Sequence, residues 1–334
     1  MLDKQRELKK VLLRIGGALL MFLALYNFLL VPASQLEAEL TTRFSGSTTV
    51  YILTSLLSSL AYSATFILPV LFFYMISRKS GAEPMWLSLS FSPKRPVFST
   101  LAVVFLGTSV CIACSYVNSI LIPVPDRAYE VLLTSDFDAG YKLILQFIST
   151  AIVPAFVEEF LFRGMILSNI YPYSERSAIF ISAILFGLMH QTPFQFLYAT
   201  AIGVVLGVVY VKTKTIWCGV LLHFFNNFFS VLQSYFLEVL DTHTGNLVYS
   251  IMMCAVAMLG ILLGGIFYVV SHTKAKEAEI KDLGVYGKEA SDLAFGEKVS
   301  GGAIIKALCN PTMLIFVIFC LVSIVSTTVL MYMI

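Results

Sequence analysis

Charge is what this chain has least of. Only 13% of its 334 residues are Asp, Glu, Lys or Arg, and 58% are hydrophobic. A soluble domain carries about 25% charged residues, so a soluble fold is excluded and an integral membrane protein is expected. Familiar catalytic signatures are also missing. There is no HExxH zinc helix, no Walker loop, no GxSxG elbow and no tandem repeat. Cys111-x-x-Cys114 has no second pair and falls mid-span, so the six cysteines read as small packing groups. The C-terminal Met331-Tyr332-Met333-Ile334 lacks the cysteine of a prenylation signal. The net charge of +2 says little, because its distribution matters more than the sum, and no nucleic-acid partner is expected.

What the chain has is long apolar runs. They predict an all-α, polytopic helical membrane bundle with about 8–9 transmembrane helices. The spans fall near 11–31, 49–76, 97–122, 143–168, 178–190, 194–211, 215–236, 248–271 and 312–334. The first is too long for a signal-peptide core and reads as an uncleaved helix. Pro193 disfavours helical geometry at Thr192, which separates 178–190 from 194–211. Loop charge sets the expected orientation. With the N-terminus cytoplasmic, inner segments hold 17 Lys and Arg and outer segments hold 2, as the positive-inside rule requires. The expected location is a bacterial plasma membrane.

Glu158 and Glu159 are the two acidic residues inside the predicted spans, and Arg163 is the basic residue lying well inside one. A charge at the bilayer centre costs at least about 2.5–3.5 kcal/mol, so these groups need partners, water or both. Glu159 and Arg163 stand at i and i+4, the favourable order for an ion pair. Glu158 points about 100° away and is free for other work. It is either a neutral helix–helix tie or a general base. Ser182, Phe186 and His190 share one helix face, and His223 and Asn227 share another. Glu158, His190 and His223 are expected at depths of roughly 15, 18 and 12 Å below the cytoplasmic face. Gly203-x-x-x-Gly207 predicts close helix packing.

Glu158-Glu159-x-x-x-Arg163, Phe186-x-x-x-His190 and His223-x-x-x-Asn227 resemble the three-part signature of the CPBP family, also called Abi. This family comprises type II CAAX prenyl endopeptidases and bacteriocin-processing or immunity proteins. Gly187, Gly203, Gly207 and Tyr210-x-x-Thr213 look similar to the family's hairpin. The resemblance covers about 142–236. It divides the chain into N-terminal helices (1–141), a CPBP-like core (142–236) and C-terminal helices (237–334) with a cytoplasmic loop at 272–311.

The resemblance implies an intramembrane endopeptidase acting on a prenylated, peptide-precursor or membrane-protein substrate in the bilayer. Glu158 would be the main catalytic carboxylate, and His190 would help activate water. His223 and Asn227 would stabilise an oxyanion or complete the site, supported by Glu159 and Arg163. A metalloprotease reading, with zinc on Glu158, His190 and His223, stands beside a metal-free glutamate mechanism. A conical cavity opening to the cytoplasm is expected. The alternatives are a noncatalytic scaffold or immunity protein of the same family, and a proton-coupled transporter. The latter would show inverted repeats, of which there is no sign.

Overall fold

The computed structural model describes residues 2–79, 97–122, 140–281 and 299–333. Those residues form a polytopic bundle of helices, with no strand among them. Eight of the helices are long and apolar enough to cross a membrane. In chain order the helices are α1 (Asp3–Arg43), α2 (Thr48–Lys79), α3 (Val97–Leu121), α4 (Gly140–Ile170) and α5 (Glu175–Met189). They continue with α6 (Pro193–Thr213), α7 (Ile216–Val239), α8 (Thr242–Lys281), α9 (Gly301–Leu308) and α10 (Pro311–Met333). Most of the predicted loops 77–96 and 123–141, and the middle of the loop 272–311, lie outside the described residues.

Helix boundaries follow local chemistry. The Ser174, Thr192 and Thr215 hydroxyls accept from the N–H groups of Ser177, Gln195 and Trp217, capping α5, α6 and α7. Pro193 opens α6 after an extended Thr192, as the sequence predicts. Lys214 adopts left-handed geometry to end α6.

One departure from expectation has a local cause. The first span was expected to end near residue 31, yet α1 runs unbroken to Arg43. A π-helical turn at Tyr26–Leu30 precedes Pro32, and a second at Phe147–Ile152 precedes Pro154. A proline removes one helical N–H and its ring crowds the carbonyl four residues back. Widening the preceding turn absorbs both effects, so the helix continues where sequence rules would stop it.

One apolar cluster joins the N-terminal, central and C-terminal parts of the chain. Leu12 and Phe22 from α1, Phe66 from α2, Leu161 and Ile166 from α4, Leu185 from α5 and Phe316 from α10 all belong to it. The N-terminal and C-terminal helices are therefore packed onto the central helices. Segment α9 is short and amphipathic, with Ile304 and Ala307 buried and Lys306 exposed.

Helices α5 and α6 pack closely. A Cβ on Gly203 would come within 2.9 Å of the Ala183 Cα, and one on Gly187 within 2.6 Å of the Phe196 carbonyl oxygen. Glycine at both positions permits this approach, the packing role expected of Gly203 and Gly207.

Candidate active site

The site is built where α4 is least regular. Glu158 and Glu159 end a short α-helical piece, Val153–Glu159, set between the π turn before Pro154 and another at Phe160–Leu167. Irregular turns of this type recur at functional positions. The third one carries Arg163. Its guanidinium is fully buried, and Nη1 donates to Glu159 Oε1 at 2.7 Å. Its Nη2 donates to the Gly203 carbonyl at 2.9 Å, and the guanidinium carbon lies 5.0 Å from the Phe186 ring centroid. Glu159 is equally buried. Its Oε2 lies 3.0 Å from where a Cβ on residue 219 would stand, so Gly219 leaves room for the carboxylate.

His223 links the two carboxylates. Its Nδ1 lies 3.0 Å from Glu159 Oε1, and its Nε2 lies 3.8 Å from Glu158 Oε2. Nδ1 therefore carries the hydrogen given to Glu159, a tautomer assigned from the partner, and Nε2 faces Glu158. The Tyr62 hydroxyl on α2 donates to Glu158 Oε1. Glu158 Oε2 has no hydrogen-bond partner although it is buried. A buried carboxylate oxygen left without a donor marks a place for water or substrate.

Beside that oxygen lies a cavity of about 370 Å³, lined by Tyr62, Glu158, Phe186, His190, His223 and Asn227 among others. His190 closes α5. Its Nδ1 is 2.9 Å from the Phe186 carbonyl, which can only accept, so Nδ1 carries a hydrogen and, in the neutral ring, Nε2 is the acceptor. Asn227 Nδ2 donates to the Thr150 carbonyl at 3.1 Å. Asn226 Nδ2 donates to Asn227 Oδ1, and Tyr198 donates to Asn226 Oδ1.

All six residues singled out in the sequence thus meet around one point. Glu158, His190, His223 and Asn227 line the cavity, and Glu159 with Arg163 lies behind His223. Tyr62, Gln195, Tyr198 and Asn226 also line it and were not picked out. Tyr62 is one of 16 tyrosines and lies outside 142–236, so no spacing ties it to Glu158. The demand of a buried carboxylate for a donor was the one signal available.

The zinc set is not assembled. Among the described residues, no group of three or more His, Cys, Asp and Glu side chains is placed to hold a metal ion. Glu158 Oε2 and His223 Nε2 stand 3.8 Å apart, a spacing that two ligands of one ion can span, but no third such side chain joins them. Zinc needs its nitrogen and oxygen ligands at about 2.0–2.2 Å from one point.

The family described as Type II CAAX prenyl endopeptidase Rce1-like matches residues 140–229, the stretch that holds α4, α5, α6 and most of α7. Residues 140–229 are similar to that family. Over 93 residues the chain is 33% identical to a protein of Bacillus subtilis (strain 168) named "Putative membrane peptidase YdiL". That stretch is 27% of this chain and spans 37% of that relative's length. No solved structure matches the chain. The matched segment carries every candidate residue except Tyr62, which α2 contributes from outside it.

Proposed function

We propose that the protein is an intramembrane endopeptidase of the CAAX protease type, with Glu158 as general base. The observation that carries this reading is the buried Glu158 Oε2, unpartnered beside a polar cavity. An oxygen with no donor of its own is free to take a proton from water. Tyr62 fixes the other oxygen of the same carboxylate, so the free one has a defined direction.

In this mechanism Glu158 removes a proton from a water in the cavity while His190 Nε2 accepts its other hydrogen. The oxygen attacks the carbonyl carbon of the scissile peptide bond, and the carbonyl π electrons move onto its oxygen. The Asn227 amide has one hydrogen left after its bond to Thr150 and is the donor offered to that oxyanion. The intermediate collapses, the C–N bond breaks, and Glu158 returns the proton to the leaving amine. His223, anchored through Nδ1 to the Glu159–Arg163 pair, stands beside Glu158 in the cavity wall. No step passes through a metal.

The substrate is a peptide precursor or a segment of a membrane protein. N-terminal proteomics on cells making the wild type or Glu158→Gln, at matched membrane levels, tests this. New peptide termini with the wild type and none with the variant are expected. Identical termini would favour a noncatalytic binding protein.

A further inference from the structure

We infer that the cavity opens to the extracytoplasmic end of the bundle, and that its substrate is a peptide segment presented outside the cytoplasm. The inference rests on the proteolytic reading for its substrate class, but the direction of opening stands on geometry and charge.

The two ends of the bundle differ. At one end the α4–α5 and α6–α7 connections meet, where Lys214 Nζ donates to the Tyr171 hydroxyl at 2.6 Å. The start of α1 and the C-terminal end of α2 lie there too, because α1 and α2 are joined at the opposite end by residues 44–47 and pack together. Lys4, Lys9, Arg78, Arg176, Lys212 and Lys214 therefore collect at this end. At the other end, Asn118 near the close of α3 donates to the Phe194 carbonyl at the start of α6, and Lys142 lies over the Tyr51 ring. Arg43 and Lys142 are the Lys and Arg residues of the described chain at that end. The positive-inside rule places the first end in the cytoplasm and the second outside it.

The cavity lies on the second side of Glu158. On α4 it is lined by Ser149, Thr150, Pro154 and Glu158, all at or toward the Gly140 end. On α7 it is lined by His223, Asn226, Asn227 and Ser230, all at or toward the Val239 end. Exposure rises the same way, from buried Glu158 and His223 to exposed Gln195 and Ser230. In the cytoplasmic direction the site is closed. Every residue of α4 from Leu161 to Ile170 is buried, including the Arg163 guanidinium. A second cavity, which shares Tyr62, Ser149 and Thr150 with the first, also lies on the outer side and reaches Glu37 and Ser55. The expectation of a cytoplasmic opening therefore conflicts with the loop-charge orientation. The geometry favours an exported peptide over a cytoplasmic prenylated tail.

The test is thiol accessibility in the full chain. Gln195→Cys and Ser230→Cys report on the cavity, and Arg176→Cys reports on the other end. Each is made after replacing Cys114, Cys254 and Cys309, the cysteines that are not buried. A membrane-impermeant maleimide should label the first two in intact cells, and Arg176→Cys only in inverted vesicles. The reverse pattern overturns the inference. Phosphatase fusions after Asp241 and after Lys214 give an independent reading: activity is expected after Asp241, and activity only after Lys214 overturns it. Neither measurement depends on cleavage, so failure of the proteolytic reading leaves a separate signature.

Discussion

The Asn227 side-chain amide donates to the backbone carbonyl of Thr150 at 3.1 Å. Thr150 stands four residues before Pro154, so its carbonyl is the one that a proline N–H would otherwise have met in a regular helix. Asn227 thus fills a gap that Pro154 opens in α4, and so ties α7 to the irregular stretch that presents Glu158. Asn227→Ala leaves that carbonyl without its donor, which costs about 1–3 kcal/mol. Chemical denaturation in detergent micelles should show the loss, together with reduced cleavage.

Tyr62→Phe removes the donor to Glu158 and keeps the ring, whose centroid packs 4.8 Å from that of Phe66. A hydrogen bond to a charged group contributes about 1.5–3 kcal/mol. If the bond positions Glu158 for the chemical step, kcat should fall roughly 10–100-fold with KM little changed. An unchanged kcat would show that Glu158 is oriented without Tyr62.

Arg163→Ala strands a buried Glu159, and removing one partner of such a pair costs about 3–5 kcal/mol. Replacing both, as Glu159→Gln with Arg163→Met, should restore much of the stability, because no uncompensated charge remains. Activity should stay low in the double variant, since His223 loses the charged acceptor at its Nδ1. Denaturation and cleavage measured on the same three preparations separate the two effects.

Gly203→Ala places a methyl group 2.9 Å from the Ala183 Cα, in the helix pair whose Gly203 carbonyl holds Arg163. Overpacking of this type costs about 1–3 kcal/mol. Gly265→Ala is the matched control, because nothing lies within 4 Å of its Cβ position. Thermal unfolding should drop for the first variant and hold or rise for the second.

Much of the site could be read in the sequence because membrane burial makes charge conspicuous. Glu158, Glu159 and Arg163 stood out by their cost in lipid, and the i, i+4 spacing of Glu159 and Arg163 foretold their 2.7 Å contact. The break at Thr192 followed from Pro193. Other features depended on three-dimensional context. Tyr62 reaches Glu158 across 96 positions of chain. The continuity of α1 past Pro32 required a π turn, which carries no pattern of its own. The side on which the cavity lies was not contained in residue depth. Glu158, His190 and His223 can share one level and still face either end.

The central claim is that Glu158 drives peptide-bond hydrolysis. Its most direct test is cleavage by the purified full chain in lipid nanodiscs, with a peptide bearing the termini found by proteomics. Wild type and Glu158→Gln should be compared after both are shown to unfold at similar temperatures. The account predicts a loss of at least about 10²–10⁴-fold for Glu158→Gln, the share typical of a general base. Cleavage within a few-fold of wild type would contradict it.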